Sequence, residues 1–289
     1  VNGQEIQWFP GHMARAEKQI AAGLKLCDAV LELTDARIPA SSRNPDLGRL
    51  AAGKPRVLLL NKSDLADAAE TARWLRFYRG RGLAALAVDC QSGRNVRAVL
   101  PAVRDLLKEQ IARWKARGMP GRRIRVMAAG IPNVGKSSLI NRLARRSGAK
   151  VEDRPGVTRA PGWFSVGGGF ELLDTPGVLW PKFGSRAAGG RLALTGAVRG
   201  EAFDAEALAC ALLELLRAEY PQLLKRRYRL EDADLAGTAG AGLLERVAKK
   251  RGMLVSGGGA DTERASRMLL EEFRGAKIGR ITLERAEEP

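Results

Sequence analysis

Residues 58–65 read LLLNKSDL, and residues 130–138 read GIPNVGKSS. The first is an apolar, strand-like run that breaks into Asn61-Lys62-Ser63-Asp64, in the form N-K-x-D. The second fits G-x-x-x-x-G-K-[ST] from Gly130 to Ser137. An apolar run, RIRVMAAG (123–130), precedes it, and GKSSLINRLARR follows it with the apolar spacing of a helix. That context predicts a phosphate-binding loop. Its glycines allow a tight turn whose N–H groups face phosphate oxygens, and the helix adds its positive N-terminal end. A base-reading N-K-x-D loop ordinarily lies well downstream of such a loop, but here it lies upstream. This inversion constrains how the chain can thread the sheet.

Each motif assigns chemistry to named residues. Lys136 is placed to neutralise β- and γ-phosphates, and Ser137 to offer a hydroxyl to magnesium. Asn133, Val134, Gly135 and Ser138 complete the nucleotide-binding loop. Asp174-Thr175-Pro176-Gly177 fits D-x-x-G after a strand-like run, with Asp174 for magnesium and the Gly177 N–H for the γ-phosphate. Thr158, in PGVT between these two motifs, is the expected switch threonine over magnesium. Asn61 and Asp64 supply base selectivity: a carboxylate accepts from both N1–H and the exocyclic amine of guanine, a pair adenine lacks. Lys62 packs its stem along the base. VDCQSG (88–93), with Cys90 and Gln91, stands where a second base-contacting loop belongs, although it departs from the usual Ser-Ala-Lys.

The reading order is base loop, second base loop, phosphate loop, switch threonine, D-x-x-G. It is the usual circle cut at another point. Chain ends of a compact domain lie near each other, so they can be joined and the chain reopened elsewhere without disturbing the sheet. The expected fold is therefore an α/β P-loop GTPase with a doubly wound sheet, circularly permuted, followed by an all-α C-terminal domain. Candidate strands are 29–35, 56–61, 83–89, 123–130, 162–167 and 170–175, the last two as a hairpin around a Gly-rich turn. A long helix over 95–117 and the GMPGRR connector carry the chain from base site to phosphate site. Residues 1–24 are expected as an N-terminal segment, 25–182 as the GTPase domain, 183–200 as a linker and 201–289 as a helical domain. Asp261 is expected to cap the last helix without a capping box, since Arg264 stands three residues on.

The formal net charge is +17, and residues 201–289 carry 15 Lys+Arg against 16 Asp+Glu, which leaves +18 on residues 1–200. That asymmetry favours a polyanionic partner such as RNA. In the C-terminal part an RNA contact would need a local patch, for which KRRYR (225–229) and KKR (249–251) are candidates. The three cysteines, Cys27, Cys90 and Cys210, have no metal-ligand spacing and read as small buried residues. No apolar run approaches the ~20 residues that span a bilayer. The N-terminal stretch has no signal-peptide or transit character, so a cytoplasmic location is expected.

WFPGHMARA, DARIPASSRNP, LNKSDL, GIPNVGKSSLINRL, PGVTR, DTPGVLWPK and the C-terminal RASRMLLEEFRGAKIGRITLE together resemble the ribosome biogenesis GTPase A family. The likeness runs over nearly the whole chain. It implies a GTP-binding, GTP-hydrolysing factor, cycling through GDP, that acts in late assembly of the large ribosomal subunit. Its partners would be the subunit precursor and its rRNA, with no membrane, and the chain would be a monomer. It also implies potassium beside the phosphates, held by Asn133. Val178 follows Gly177 where many GTPases carry a water-orienting glutamine, and in the family His12 of WFPGHM is the proposed substitute. That stretch reads as too broken by Pro10 and Gly11 to be core helix. Two other readings keep part of the motif set: a GTPase acting on another RNA in tRNA modification, and a non-catalytic RNA-binding scaffold.

Overall fold

The computed structural model describes residues 10–51, 53–146, 162–175, 186–198 and 204–286. Thr158, Gly177 and Val178 lie outside them. The chain divides into two units, residues 1–184 with 284–289, and residues 185–283.

In the first unit the strands are β1 (Ala29–Asp35), β2 (Arg56–Asn61), β3 (Ala84–Ala87), β4 (Ile124–Gly130), β5 (Gly162–Gly167) and β6 (Phe170–Asp174). They form one sheet in the order β3-β2-β1-β4-β6-β5. Every pairing is parallel except β5 with β6. That hairpin turns at Gly167, Gly168 and Gly169, all at positive φ, a backbone region that glycine enters without a Cβ clash. Every residue of β1, and all but the first of β2, is buried, as expected for strands with helices on both faces of the sheet. The strands fall where the apolar runs place them, with β3 trimmed at both ends.

Two helical expectations change. Pro10 and Gly11 do not prevent a helix: α1 runs Pro10–Leu26 and carries His12 in its first turn. Proline is tolerated at the first helical position because its missing N–H has no intrahelical partner there anyway. The far end of α1 is core, since Ile20 and Leu24 pack with Val30, Met127 and Leu173. The expected long helix over 95–117 is a 3₁₀ turn (Val96–Ala98), then α4 (Val99–Leu106) and α5 (Lys108–Ala116). Leu107, at ψ 9°, makes the break. Its N–H still reaches Val103 O at 3.0 Å, and its carbonyl accepts from Ile111 N at 2.8 Å, so the two segments remain in line of hydrogen bonding.

The other helices of this unit are α2 (Pro45–Leu50), α3 (Ala68–Gly80) and α6 (Lys136–Arg146). Asp67 caps α3 by accepting from the N–H groups of Ala69 and Glu70. Trp74 and Tyr78 of α3 pack on Leu58, Leu60 and Ala85, and Ala286 near the C-terminus joins that cluster.

The second unit holds α7 (Arg186–Leu194), α8 (Ala205–Glu219), α9 (Pro221–Tyr228), α10 (Asp232–Leu235), α11 (Gly240–Lys250) and α12 (Thr262–Arg274). Helix α7 lies inside the stretch read as linker. Its Leu192, Ala193 and Leu194 are buried, and the Arg274 guanidinium satisfies the terminal carbonyls of Ala193 and Leu194 at 3.0 Å each. Asp261 caps α12 through Arg264 N at 3.0 Å, as read from the sequence. Cys27 and Cys90 are buried, whereas Cys210 is only half-buried. Gly240 passes so close to Cys210 that an added Cβ would stand 2.8 Å from the Cys210 carbonyl oxygen. That approach seats the start of α11 against α8.

Candidate nucleotide site

The parallel strands bring the motifs to one edge. Asp35 at the end of β1 is in register with Asn61 at the end of β2, and Leu33 is in register with Gly130 at the end of β4. From β1 the chain runs outward to β2 and β3, and from β4 to the other side through β6. The switch point lies between β1 and β4, where open α/β sheets form a ligand crevice beyond the carboxyl ends of their strands.

The phosphate loop fills that point. Gly130 has no room for a side chain, since a Cβ there would lie 2.6 Å from the Leu33 carbonyl oxygen. Asn133 (φ 58°) and Gly135 (φ 103°) take left-handed backbone conformations, which fold the loop back on itself before α6 starts at Lys136. Asn133 and Ser138 are exposed, Ser137 is half-buried, and Val134 is buried. Lys136 folds over the loop, its Nζ donating to Gly130 O at 3.1 Å and Ile131 O at 3.0 Å. Burial pushes its pKa down to about 8, and Asp174 pulls the other way. A nucleotide phosphate would supply the anionic partner that the carbonyls only imitate.

Asp174 comes to the same place through the sheet. It is in register with Ala128, two residues before the phosphate loop, and is 3 % exposed. Thr175 is anchored beside it, its hydroxyl donating to Ala128 O at 2.8 Å.

The base loops close on the phosphate loop through Asn61. Its Nδ2 donates to Val134 O at 2.7 Å, and its Oδ1 accepts from Cys90 N at 3.0 Å. One side chain therefore joins three loops. Cys90 contributes its backbone; burial pushes its thiol up to about 12, out of thiolate chemistry. The 88–93 loop is shaped by Asp89, which accepts from Gln91 N at 2.8 Å and from the N–H and hydroxyl of Ser92. From α6, Arg142 reaches across to the Gln91 carbonyl. Lys62 and Asp64 are half-buried beside this junction.

A phosphate loop, an N-K-x-D loop and a β6 aspartate at one switch point, in this chain order, define a circularly permuted GTPase site. A family model described as 50S ribosome-binding GTPase matches residues 125–248. Ribosome biogenesis GTPase A of Priestia megaterium is 45 % identical over 290 residues, covering 98 % of this chain and 99 % of that protein. The chain belongs to the ribosome biogenesis GTPase A family. Among solved structures, a GDP-bound TM YlqF is 27 % identical at TM-score 0.66, covering 93 % of this chain and all of that one. GNP-bound YlqF from T. maritima, also 27 % identical, covers 95 % and all, respectively, at TM-score 0.63. Membership in this family makes the chain a GTPase that binds GTP and GDP.

Two buried residues of this site have no sequence motif of their own: Asp35, which pairs with Lys62, and Arg37, which pairs with Asp35. No local signal marks them: Asp35 ends a buried strand, AVLELTD, that already carries Glu32 and Thr34, and its meeting with Lys62 comes from the register of β1 with β2.

Proposed function

We propose that this GTPase acts in late assembly of the large ribosomal subunit in the cytoplasm. As a monomer it binds the subunit precursor and its rRNA, and its nucleotide state controls that binding. The Asn61 bridge to Val134 carries the nucleotide half of the reading, because it joins base and phosphate loops that the sequence presents in inverted order. The names of the relatives support the ribosomal half.

Exposed charge supports an RNA partner. Residues 113–125, which span the end of α5, the GMPGRR connector and the start of β4, hold Arg113, Lys115, Arg117, Arg122, Arg123 and Arg125 with no acidic residue among them. All six are exposed. Asp28 pairs with Arg122, and Glu171 is shared by Arg123 and Arg125, so the surface keeps a positive excess. Trp163 stands 40 % exposed beside Arg125, a surface suited to stacking on a base. In the helical unit much of the candidate patch is spent internally. Arg227 and Arg251 pair with Glu272, Lys225 with Asp232, and Lys250 lies 3.8 Å from Asp234. Arg226, Arg229 and Lys249 are its exposed remainder.

The donor set fits magnesium: a hydroxyl from Ser137 in the first turn of α6 and a buried carboxylate from Asp174, with Thr158 as third contributor. Hard oxygen ligands beside a phosphate site suit that ion. Bound there, it would offset charge on the β- and γ-oxygens. Potassium is assigned to Asn133, an exposed residue of the phosphate loop. Gly177 is assigned to the γ-phosphate and His12 to the attacking water.

Sedimentation with large subunits tests this reading. Co-sedimentation is expected with a non-hydrolysable GTP analogue and not with GDP. Equal sedimentation in both nucleotides, or none in either, would overturn it.

A further inference from the structure

Asp35 belongs to none of the nucleotide-binding motifs, yet its carboxylate is built into the base site. It is 2 % exposed. Arg37 grips it in a fork, Nε to Oδ1 at 2.9 Å and Nη2 to Oδ2 at 2.7 Å, and the Arg37 N–H adds a third bond at 3.0 Å. Arg37 is itself buried. Behind the pair, residues 35–42 are wound tightly. Ser42 Oγ accepts from Asp35 N at 3.0 Å and donates to Ile38 O at 2.6 Å, and Ile38 N donates to Asp35 O at 2.9 Å. A carboxylate held on this many sides cannot swing away.

Its remaining contact points into the site. Lys62 Nζ lies 3.1 Å from Asp35 Oδ2, with 24 % of the lysine side chain exposed. Lys62 itself sits at φ 59°, so its backbone direction is set by the tight turn after β2. We infer that Asp35 is a positioning residue for guanine nucleotide binding, holding Lys62 in the orientation in which its stem lines the base pocket. A lysine stem anchored before ligand arrives has less rotamer freedom left to lose on binding.

Electrostatics agrees with the geometry. Burial alone would raise the Asp35 carboxyl, but Arg37 and Lys62 together hold it far below the ordinary carboxylate range. It is therefore a fixed anion at any pH where the protein works. Arg37 in turn feels Asp64, the acid assigned to the guanine edge, which favours its charged form. The Asp35–Arg37 pair thus presents an anion to Lys62 and a cation toward Asp64, the two side chains of N-K-x-D that follow Asn61.

The inference rests on residues 61–64 reading the base, and a double-mutant cycle separates the two claims. Fluorescent N-methylanthraniloyl-GDP is titrated into the full chain carrying Asp35→Asn, Lys62→Met or both. Each single change is expected to weaken binding about tenfold, and the double variant no more than about twofold beyond either, the signature of two groups acting as one. Losses that multiply toward about a hundredfold would overturn the inference, because Asp35 would then act independently of Lys62. An effective Lys62→Met beside a silent Asp35→Asn would overturn the inference alone; a silent Lys62→Met would overturn the base-loop reading with it. If Asp35→Asn does not fold, because Arg37 is left buried and unpaired, the cycle is run with Asp35→Glu. That variant keeps the charge against Arg37 but displaces the oxygen facing Lys62, and the same non-additivity is expected.

Discussion

Asn61, at the end of β2, donates from Nδ2 to the Val134 carbonyl at 2.7 Å across 73 residues of chain. The bond needs no particular chain order. It requires only that the two strand ends meet at one edge of the sheet, and the parallel order β2-β1-β4 brings them there. Asn61→Ala removes this bond and the one from Cys90 N. Leaving a buried carbonyl and an N–H unsatisfied costs about 1–3 kcal/mol each. GDP and GTP affinity should fall together by at least tenfold, measured by nucleotide titration, since the loss disorders the pocket rather than one phosphate. Unchanged affinity would show that the three loops hold their arrangement without it.

Lys136 gives the site a proton signature. Its pKa of about 8 in the nucleotide-free protein lies below its ordinary value, so above pH 8 the amine is largely neutral. Phosphate favours the ammonium, and binding there must then take up a proton. Titration calorimetry at pH 9 in buffers of different ionisation enthalpy should report uptake approaching one proton, fading toward pH 7. The same shift affects stability. Between about 8 and 10.5 the unfolded chain binds the proton that the folded chain does not, so this residue's contribution to stability should rise with pH through that window. Lys136→Met should remove both effects.

The C-terminal residues brace the first unit. Glu284 accepts from Ala40 N at 2.7 Å and from the N–H and hydroxyl of Ser41, and its carbonyl accepts from Trp74 Nε1 at 3.1 Å. Arg285 pairs with the buried Glu70 of α3. Glu284→Ala leaves two backbone N–H groups without this acceptor, a cost of about 1–3 kcal/mol each. Thermal unfolding should shift downward by several degrees with nucleotide binding retained at low temperature. An unshifted transition would make the tail decorative.

His12 lies in the first turn of α1. Neutral imidazole can accept a hydrogen bond from water near pH 7, a role that Val178 cannot fill. His12→Ala should leave GTP affinity within about twofold while cutting subunit-stimulated hydrolysis by 10²-fold or more, the lower range for such groups. A stimulated rate equal to that of the unmodified protein, with subunit binding confirmed, would leave His12 as a docking residue.

The strands were legible because each buried run has its own composition and ends at a turn; β1, β2 and β5 match their sequence boundaries residue for residue. The motifs were legible because backbone geometry restricts which residues can serve, as at Gly130 and Gly135. Three things were not legible. The Asp35–Arg37–Lys62 array depends on β1 and β2 ending side by side, which no local pattern states. Helix α7 looked like linker because RAAGGRLAL carries two glycines, and its stability comes from buried leucines and the distant Arg274. The return of Glu284 to Ser41, across 243 residues, has no sequence signature at all.

Residues 61–64, although they precede the phosphate loop, are expected to read the base in this permuted site. Competitive titration of the unmodified chain and Asp64→Asn with GTP, xanthosine triphosphate and ATP measures that role. The unmodified chain should prefer GTP over both by at least a hundredfold, since a site built to pair hydrogen-bonding groups rejects ligands that lack them. Asp64→Asn should reverse the order of GTP and xanthosine triphosphate, because the asparagine amide can donate to the ring oxygen that replaces the guanine amine. Equal affinity of the unmodified chain for GTP and ATP, or an Asp64→Asn variant that still prefers GTP, would show that residues 61–64 do not read the base.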